Sequence, residues 1–76
     1  MPTTGAVRTK ALTLAVGDIP TEEAVRELMD CCGGRRVPVV LARQQFTKDL
    51  ETDPLDPVLN RAADLLDNLL ARLPLG

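Results

Sequence analysis

Two adjacent cysteines, Cys31 and Cys32, are the residues of this chain whose chemistry is most easily recognised. Neighbouring cysteines rarely reach the geometry that a disulfide requires, so the pair does not predict a structural bridge. The chain has no histidine and no second cysteine pair to complete a four-ligand zinc site. We therefore predict no metal and no cofactor, and expect Cys32 to face the core while Cys31 is partly exposed. A thiol-based redox sensor is kept as a hypothesis that would need a stabilised thiolate.

Four basic residues form the second candidate group. Arg35 and Arg36 follow a glycine pair in a predicted loop, where two guanidinium groups can bind phosphate or carboxylate partners bidentately. Together with Arg8 and Lys10 they could form one basic face that contacts nucleic acid. Ordinary solubilising charge is the plain alternative, and the formal net charge of −2 lacks the strongly basic balance of proteins that coat nucleic acid.

Catalysis by the common routes has little support in the composition. The chain contains neither His nor Ser, so it offers no imidazole base and only threonine hydroxyls as alcohol nucleophiles. Gly33 and Gly34 lack the spacing of phosphate-binding and dinucleotide-binding loops. We therefore predict that the protein is not an enzyme.

The N-terminal region has the pattern of an extended arm followed by a strand. Residues 1–6 contain Pro, Thr and Gly and predict a flexible arm, which leaves a single small domain over residues 7–76. A strand is predicted from Val7 to Val16, because large apolar side chains alternate with small ones over residues 11–16, which gives the strand one apolar face. The stretch Gly17–Pro20 then predicts a turn.

A first helix is predicted from about Glu22 to Cys32, because apolar residues recur there at i, i+3, i+4 and i+7. Thr21 is expected to cap this helix. Gly33 and Gly34 are expected to end it, since glycine adopts the left-handed conformation that closes a helix at low steric cost.

The next segment allows two interpretations. The β-branched run predicts a short strand over Val37–Leu41, followed by a helix from about Arg43 to Glu51. Alternatively, Pro38 opens a single longer helix, along which apolar residues are spaced four apart. Those residues are Ala42, Phe46 and Leu50.

The C-terminal segment predicts a long amphipathic helix over residues 57–73, capped by Asp56 and opened by Pro57. Its apolar face is wider than the stripe that a helix on one small core needs. We therefore expect this helix to form an interface with a second copy or with a cognate protein. The predicted interface residues are Val58, Leu59, Ala62, Leu65, Leu66, Leu69, Leu70 and Leu73.

Together these elements predict a small α+β domain of order β-α-(β)-α-α; the alternative is a mostly α three-helix domain with an extended N-terminal arm. The order of strand, short helix, glycine turn and Val-rich strand resembles the antitoxins of prokaryotic toxin–antitoxin pairs, which dimerise through an N-terminal α/β region. The first helix is shorter than that family's usual one, and no third strand follows Leu41. The resemblance implies that the C-terminal helix docks onto a cognate protein.

The favoured function is a non-enzymatic protein–protein interaction module, either an obligate homodimer or a small adaptor or regulatory subunit. A small DNA-binding regulator or antitoxin-like protein is the alternative. We expect a cytoplasmic protein without membrane contact. The apolar runs of about five residues fall short of the roughly twenty that span a bilayer, and no secretory-type apolar block follows the first basic residues.

Overall fold

The computed structural model describes residues 3–74, and these form four helices. The helices are α1 (Thr4–Val16), α2 (Thr21–Cys32), α3 (Arg36–Thr52) and α4 (Pro57–Arg72). Short connections over residues 17–20, 33–35 and 53–56 join them. No strand occurs within residues 3–74, so the predicted α+β class is wrong and the mostly helical alternative fits.

Helix α1 occupies the segment that was predicted as a strand. Its buried residues Val7, Ala11 and Leu14 follow a helical spacing of four and three. The helix starts because the Thr3 hydroxyl accepts a hydrogen bond of 3.0 Å from the amide of Ala6. Residues 4–6 of the expected arm therefore form the first turn of α1, and Met1 and Pro2 lie outside the described residues. The first strand on which the antitoxin resemblance depended is therefore absent from this segment.

Helix α3 contains the whole segment that was predicted as a strand and then a helix. Pro38 lies in its first turn, where the missing N–H has no intrahelical acceptor to satisfy. Val39, Ala42 and Phe46 are buried on one side, so the β-branched run is helical because tertiary packing outweighs its propensity. The single-helix interpretation is confirmed, and the strand over Val37–Leu41 is wrong.

Helix α2 matches its prediction at the C-terminal end and differs at its start. Gly33 ends the helix in the left-handed conformation, with φ of 62°. Pro20 rather than Thr21 is the N-cap residue. The Thr21 hydroxyl instead accepts a hydrogen bond of 3.0 Å from Arg61, whose guanidinium also donates to the carbonyl of Ile19. Arg61 therefore joins the first interhelical turn to α4.

Helices α1 and α4 lie at the centre of the packing, because each contacts all three other helices while α2 and α3 scarcely touch each other. Asp56 caps α4 by accepting from the amides of Val58 and Leu59, and Pro57 is its first residue, as predicted. One continuous core joins the four helices and contains a single aromatic side chain, Phe46.

Two glycines in this fold should respond oppositely to alanine. Gly5 lies in α1, where an added Cβ meets nothing within 4 Å, so Gly5→Ala is expected to stabilise the chain by about 0.5–1 kcal/mol. Gly34 has φ of 74°, so Gly34→Ala is expected to cost about 1–2 kcal/mol although the space around it is open. Thermal unfolding of the two variants checks both signs, and a shift of the same sign in both would contradict the backbone assignment.

Candidate protein-interaction surface

The predicted interface on α4 is largely occupied by the chain's own helices. Leu65, Leu66 and Leu69 have no exposed surface, and Ala62, Ala63 and Leu73 are also buried. Val58, Leu59 and Leu70 are half-buried. The wide apolar face is explained by the central position of α4, which packs against three helices of the same chain. The wide apolar face that led to the expectation of a second copy is therefore covered by helices of the same chain.

The four predicted basic residues do not come together as one face. The Arg8 guanidinium lies 2.7 Å from a carboxylate oxygen of Asp49 and stacks over Phe46, with its carbon 4.8 Å from the ring centroid. Asp49 is thirteen residues beyond Arg36 on α3, a separation of ~20 Å along the helix axis. Lys10 pairs with Glu27 of α2 at 3.2 Å.

Arg35 and Arg36 are placed differently from Arg8 and Lys10. Arg35 is exposed, and although its backbone amide donates to the carbonyl of Cys32, its side chain makes no hydrogen bond or ion pair with the residues between 3 and 74. Arg36 donates a hydrogen bond of 3.2 Å to the carbonyl of Leu70 in the last turn of α4. Both arginines thus lie at the start of α3 without a carboxylate partner from the described chain.

The two cysteines have separate environments because neighbouring residues on a helix point about 100° apart. Cys32 is fully buried, as predicted, and Cys31 is half-buried. Their sulfurs donate to different backbone carbonyls, those of Met29 and Ala6. Over residues 3–74, no group of three or more His, Cys, Asp or Glu side chains could hold a metal ion.

An apolar patch on α3 is the main surface feature that sequence reasoning did not single out. We call Val37, Val40 and Leu41 the α3 patch: Val37 is 68% exposed, Leu41 is 43% exposed and Val40 is half-buried. With Arg36 they line a shallow hollow of about 230 Å³. The other large exposed hydrophobic residues of the described chain, Val16 and Leu55, lie outside this hollow.

A larger cleft adjoins the α3 patch at the start of the helix. It has a volume of about 630 Å³, shares Arg36 and Val37 with the hollow, and extends past Arg35 to Thr3 and Thr4 at the start of α1. Apolar and positively charged side chains therefore form one continuous surface. Such a surface can bind aliphatic groups and an anion side by side.

The opposite charge is concentrated on α2. Glu22 and Glu23 are in its first turn, and Arg72 of α4 donates hydrogen bonds to both carboxylate oxygens of Glu22, one of them at 3.1 Å. The hydrogen bonds and the positive charge of Arg72 lower the pKa of Glu22 and raise the pKa of Arg72.

This pair predicts a pH-dependent contribution to stability. Because the pKa of Glu22 is lowered in the folded chain, its contribution is present above the unfolded pKa and is lost as the pH falls through the folded pKa. Glu22→Gln is therefore expected to lower the Tm at about pH 7, and its melting curve should converge with that of the parent chain at acid pH, below the lowered pKa of Glu22. Glu23→Gln is the matched control, since Glu23 lies in the same turn without an ion pair among residues 3–74. A difference in Tm between Glu22→Gln and the parent chain that is equal at neutral and at acid pH would contradict the assignment of this ion pair.

Comparison with protein-family models, curated proteins and solved structures finds no match to this chain. Within residues 3–74, none of the helices has the length and apolar content needed to cross a membrane.

The α3 patch could have been noticed in the sequence from one signal. If Pro38 opens a helix, the buried set Val39, Ala42 and Phe46 defines the inner face, and Val37 and Leu41 must then point away from it. The strand prediction concealed this, because a buried strand hides apolar residues on both of its faces.

Proposed function

We propose that this protein is a non-enzymatic protein–protein interaction module, an adaptor or regulatory subunit that binds its partner through the α3 patch. The observation that carries the proposal is the exposure of Val37 and Leu41 on a helix whose inner face, formed by Val39, Ala42 and Phe46, is buried. An exposed cluster of aliphatic side chains has a cost in water that a bound partner removes.

The position of the patch supports this assignment. It lies on a helix that is anchored in the core by fully buried Val39, Ala42 and Phe46. A rigid helix face presents its side chains with little further loss of conformational entropy on binding. The proposed interface therefore lies on the outer side of α3 and not on α4, whose leucines pack in the core.

Patch-dependent capture tests the proposal. The tagged full chain, a Leu41→Asp variant and a Leu55→Asp control are used to retain proteins from an extract of the cells that express it. Leu55 is exposed in the connection between α3 and α4 and lies outside the hollow, so the control makes the same substitution away from the patch. We expect one protein to bind the parent chain and the control in a fixed ratio, to be lost with Leu41→Asp, and to rebind as a purified component.

The other hypotheses give different results in the same series. Equal retention by Leu41→Asp and the parent chain would overturn the proposal. A dimer of the parent chain in sedimentation equilibrium that Leu41→Asp dissociates would make a second copy the partner. Salt-dependent retention of duplex DNA, weakened by replacing both Arg35 and Arg36 with Ala, would instead favour the regulator hypothesis.

A further inference from the structure

We infer that the partner of the α3 patch is a helical protein segment that carries aliphatic side chains on one face and an acidic group beside them. This inference rests on the proposed function and specifies the chemistry of the partner.

The apolar half of the surface has the spacing of a helix-binding ridge. Val37, Val40 and Leu41 stand at i, i+3 and i+4, so they form one ridge along a single turn of α3. A second helix packs against such a ridge by placing its own aliphatic side chains in the adjoining groove. The hollow beside the ridge, lined by the patch and Arg36, provides that groove.

The charged half of the surface favours an acidic partner. All five ion pairs among the described residues use other basic side chains, namely Arg8, Lys10, Arg43, Arg61 and Arg72. Arg35 and Arg36 therefore keep a positive charge that no carboxylate of residues 3–74 compensates. The hydrogen bond from Arg36 to the Leu70 carbonyl fixes one of them at the edge of the hollow. Arg35 and Arg36 both line the adjoining cleft, so a carboxylate placed there is favoured by their positive charge.

A second copy of this chain is a poorer occupant than an acidic segment. A two-fold contact of patch on patch would bring two Arg35–Arg36 pairs together, and like charges at an interface oppose association. The patch also has three side chains, whereas a stable dimer interface contains about 20–30 residues a side.

An anionic membrane is disfavoured by the charge of the whole chain. The formal net charge is −2, and membrane attraction needs clusters of several basic residues at the surface. Only Arg35 and Arg36 adjoin the patch among the described basic residues. A local acidic group on a protein segment matches this small positive site better than an extended anionic surface does.

The experiment titrates the full nitrogen-15-labelled chain with a short amphipathic peptide that has leucines on one face and glutamates beside them. The comparison peptide has lysine in place of every glutamate. We expect the acidic peptide to shift the backbone amide signals between Gly34 and Leu41 saturably below ~1 mM, and the lysine peptide to give no saturable shift.

Charge variants test the contribution of the arginines. Arg35→Glu is expected to weaken the acidic peptide about three- to tenfold and to allow the lysine peptide to bind. Lys48→Glu is the matched control, since Lys48 is exposed on α3 and lies about 16 Å along the axis from Val37. Its affinity for the acidic peptide should stay within about twofold of the parent value.

Each contrary outcome is distinct. Equal binding of both peptides, no saturable shift up to ~1 mM, or an unchanged affinity in Arg35→Glu would overturn the inference about the partner. Co-sedimentation with phosphatidylglycerol-containing vesicles, without peptide binding, would assign the surface to a membrane and also overturn it. The proposed function has its own readout, the Leu41→Asp capture, so an adaptor with a non-acidic partner would be recognised as such.

Discussion

Leu66→Asp is expected to unfold the chain rather than to dissociate an assembly. Leu66 has no exposed surface and lies on the central helix α4. Removing a buried leucine side chain costs about 2–5 kcal/mol, and a carboxylate without a partner adds the penalty of burying a charge. A domain of this size has a core that rarely supplies more than about 3–5 kcal/mol in total. Far-UV circular dichroism should therefore show a loss of helix at room temperature.

The control for this change is Leu55→Asp. Leu55 is 89% exposed in the connection between α3 and α4, so the same added charge should leave the helical signal unchanged. A Leu66→Asp chain that kept its helical spectrum and halved its mass in light scattering would contradict the prediction. That result would restore α4 as an interface between copies.

Phe46→Ala is expected to have the second largest effect. Phe46 is the only aromatic residue of the chain, is completely buried, and also supports the Arg8 guanidinium that stacks over its ring. Truncating a buried phenylalanine costs about 3–5 kcal/mol, which is comparable to the whole stability of so small a domain. Urea unfolding followed by circular dichroism should show a midpoint near zero denaturant or no folded baseline.

Two further variants test whether the loss of stability comes from the lost buried volume or from any change at this point of α3. Phe46→Leu keeps most of the buried volume and should cost clearly less than the alanine change. Gln45→Ala alters the exposed neighbour on the same helix and should change stability by no more than about 0.5 kcal/mol. A midpoint for Phe46→Ala equal to that of Gln45→Ala would show that the aromatic ring is not the centre of the core.

The parts of the fold that the sequence predicted correctly are those with strong local signals. Asp56 and Pro57 mark the start of α4 by side-chain capping and a fixed φ, and Gly33 marks the end of α2 by its left-handed conformation. Both signals depend on residues next to one another in the chain. They therefore need no knowledge of the tertiary structure.

The two strand predictions were wrong for a tertiary reason. In α1 the buried set Val7, Ala11 and Leu14 is accompanied by apolar residues on other sides, so the helical period is masked and an accidental alternation stands out. In α3 the β-branched residues suggested a strand, although Val39 packs into a helical core. The other helices against which these residues pack cannot be seen in the local sequence.

The candidate surface was only half predictable. Arg35 and Arg36 were selected from their position after the glycine pair, and they do lie at the proposed site. The exposure of Val37 and Leu41 could not be deduced once that segment was assigned to a strand. The α4 residues show the converse, because the width of an apolar face does not tell whether its neighbours belong to the same chain, and α4 packs against three helices of its own chain.

The different burial of Cys31 and Cys32 provides a built-in reporter of conformational opening. A thiol reagent in solution can reach the half-buried Cys31, whereas it reaches Cys32 only when the bundle opens. In mass spectrometry, the singly labelled chain would therefore report the accessibility of Cys31, and the doubly labelled chain would report the rate at which the bundle opens and exposes Cys32. Since the chain lacks Trp and Tyr, thiol labelling would replace the fluorescence signal by which unfolding is commonly followed.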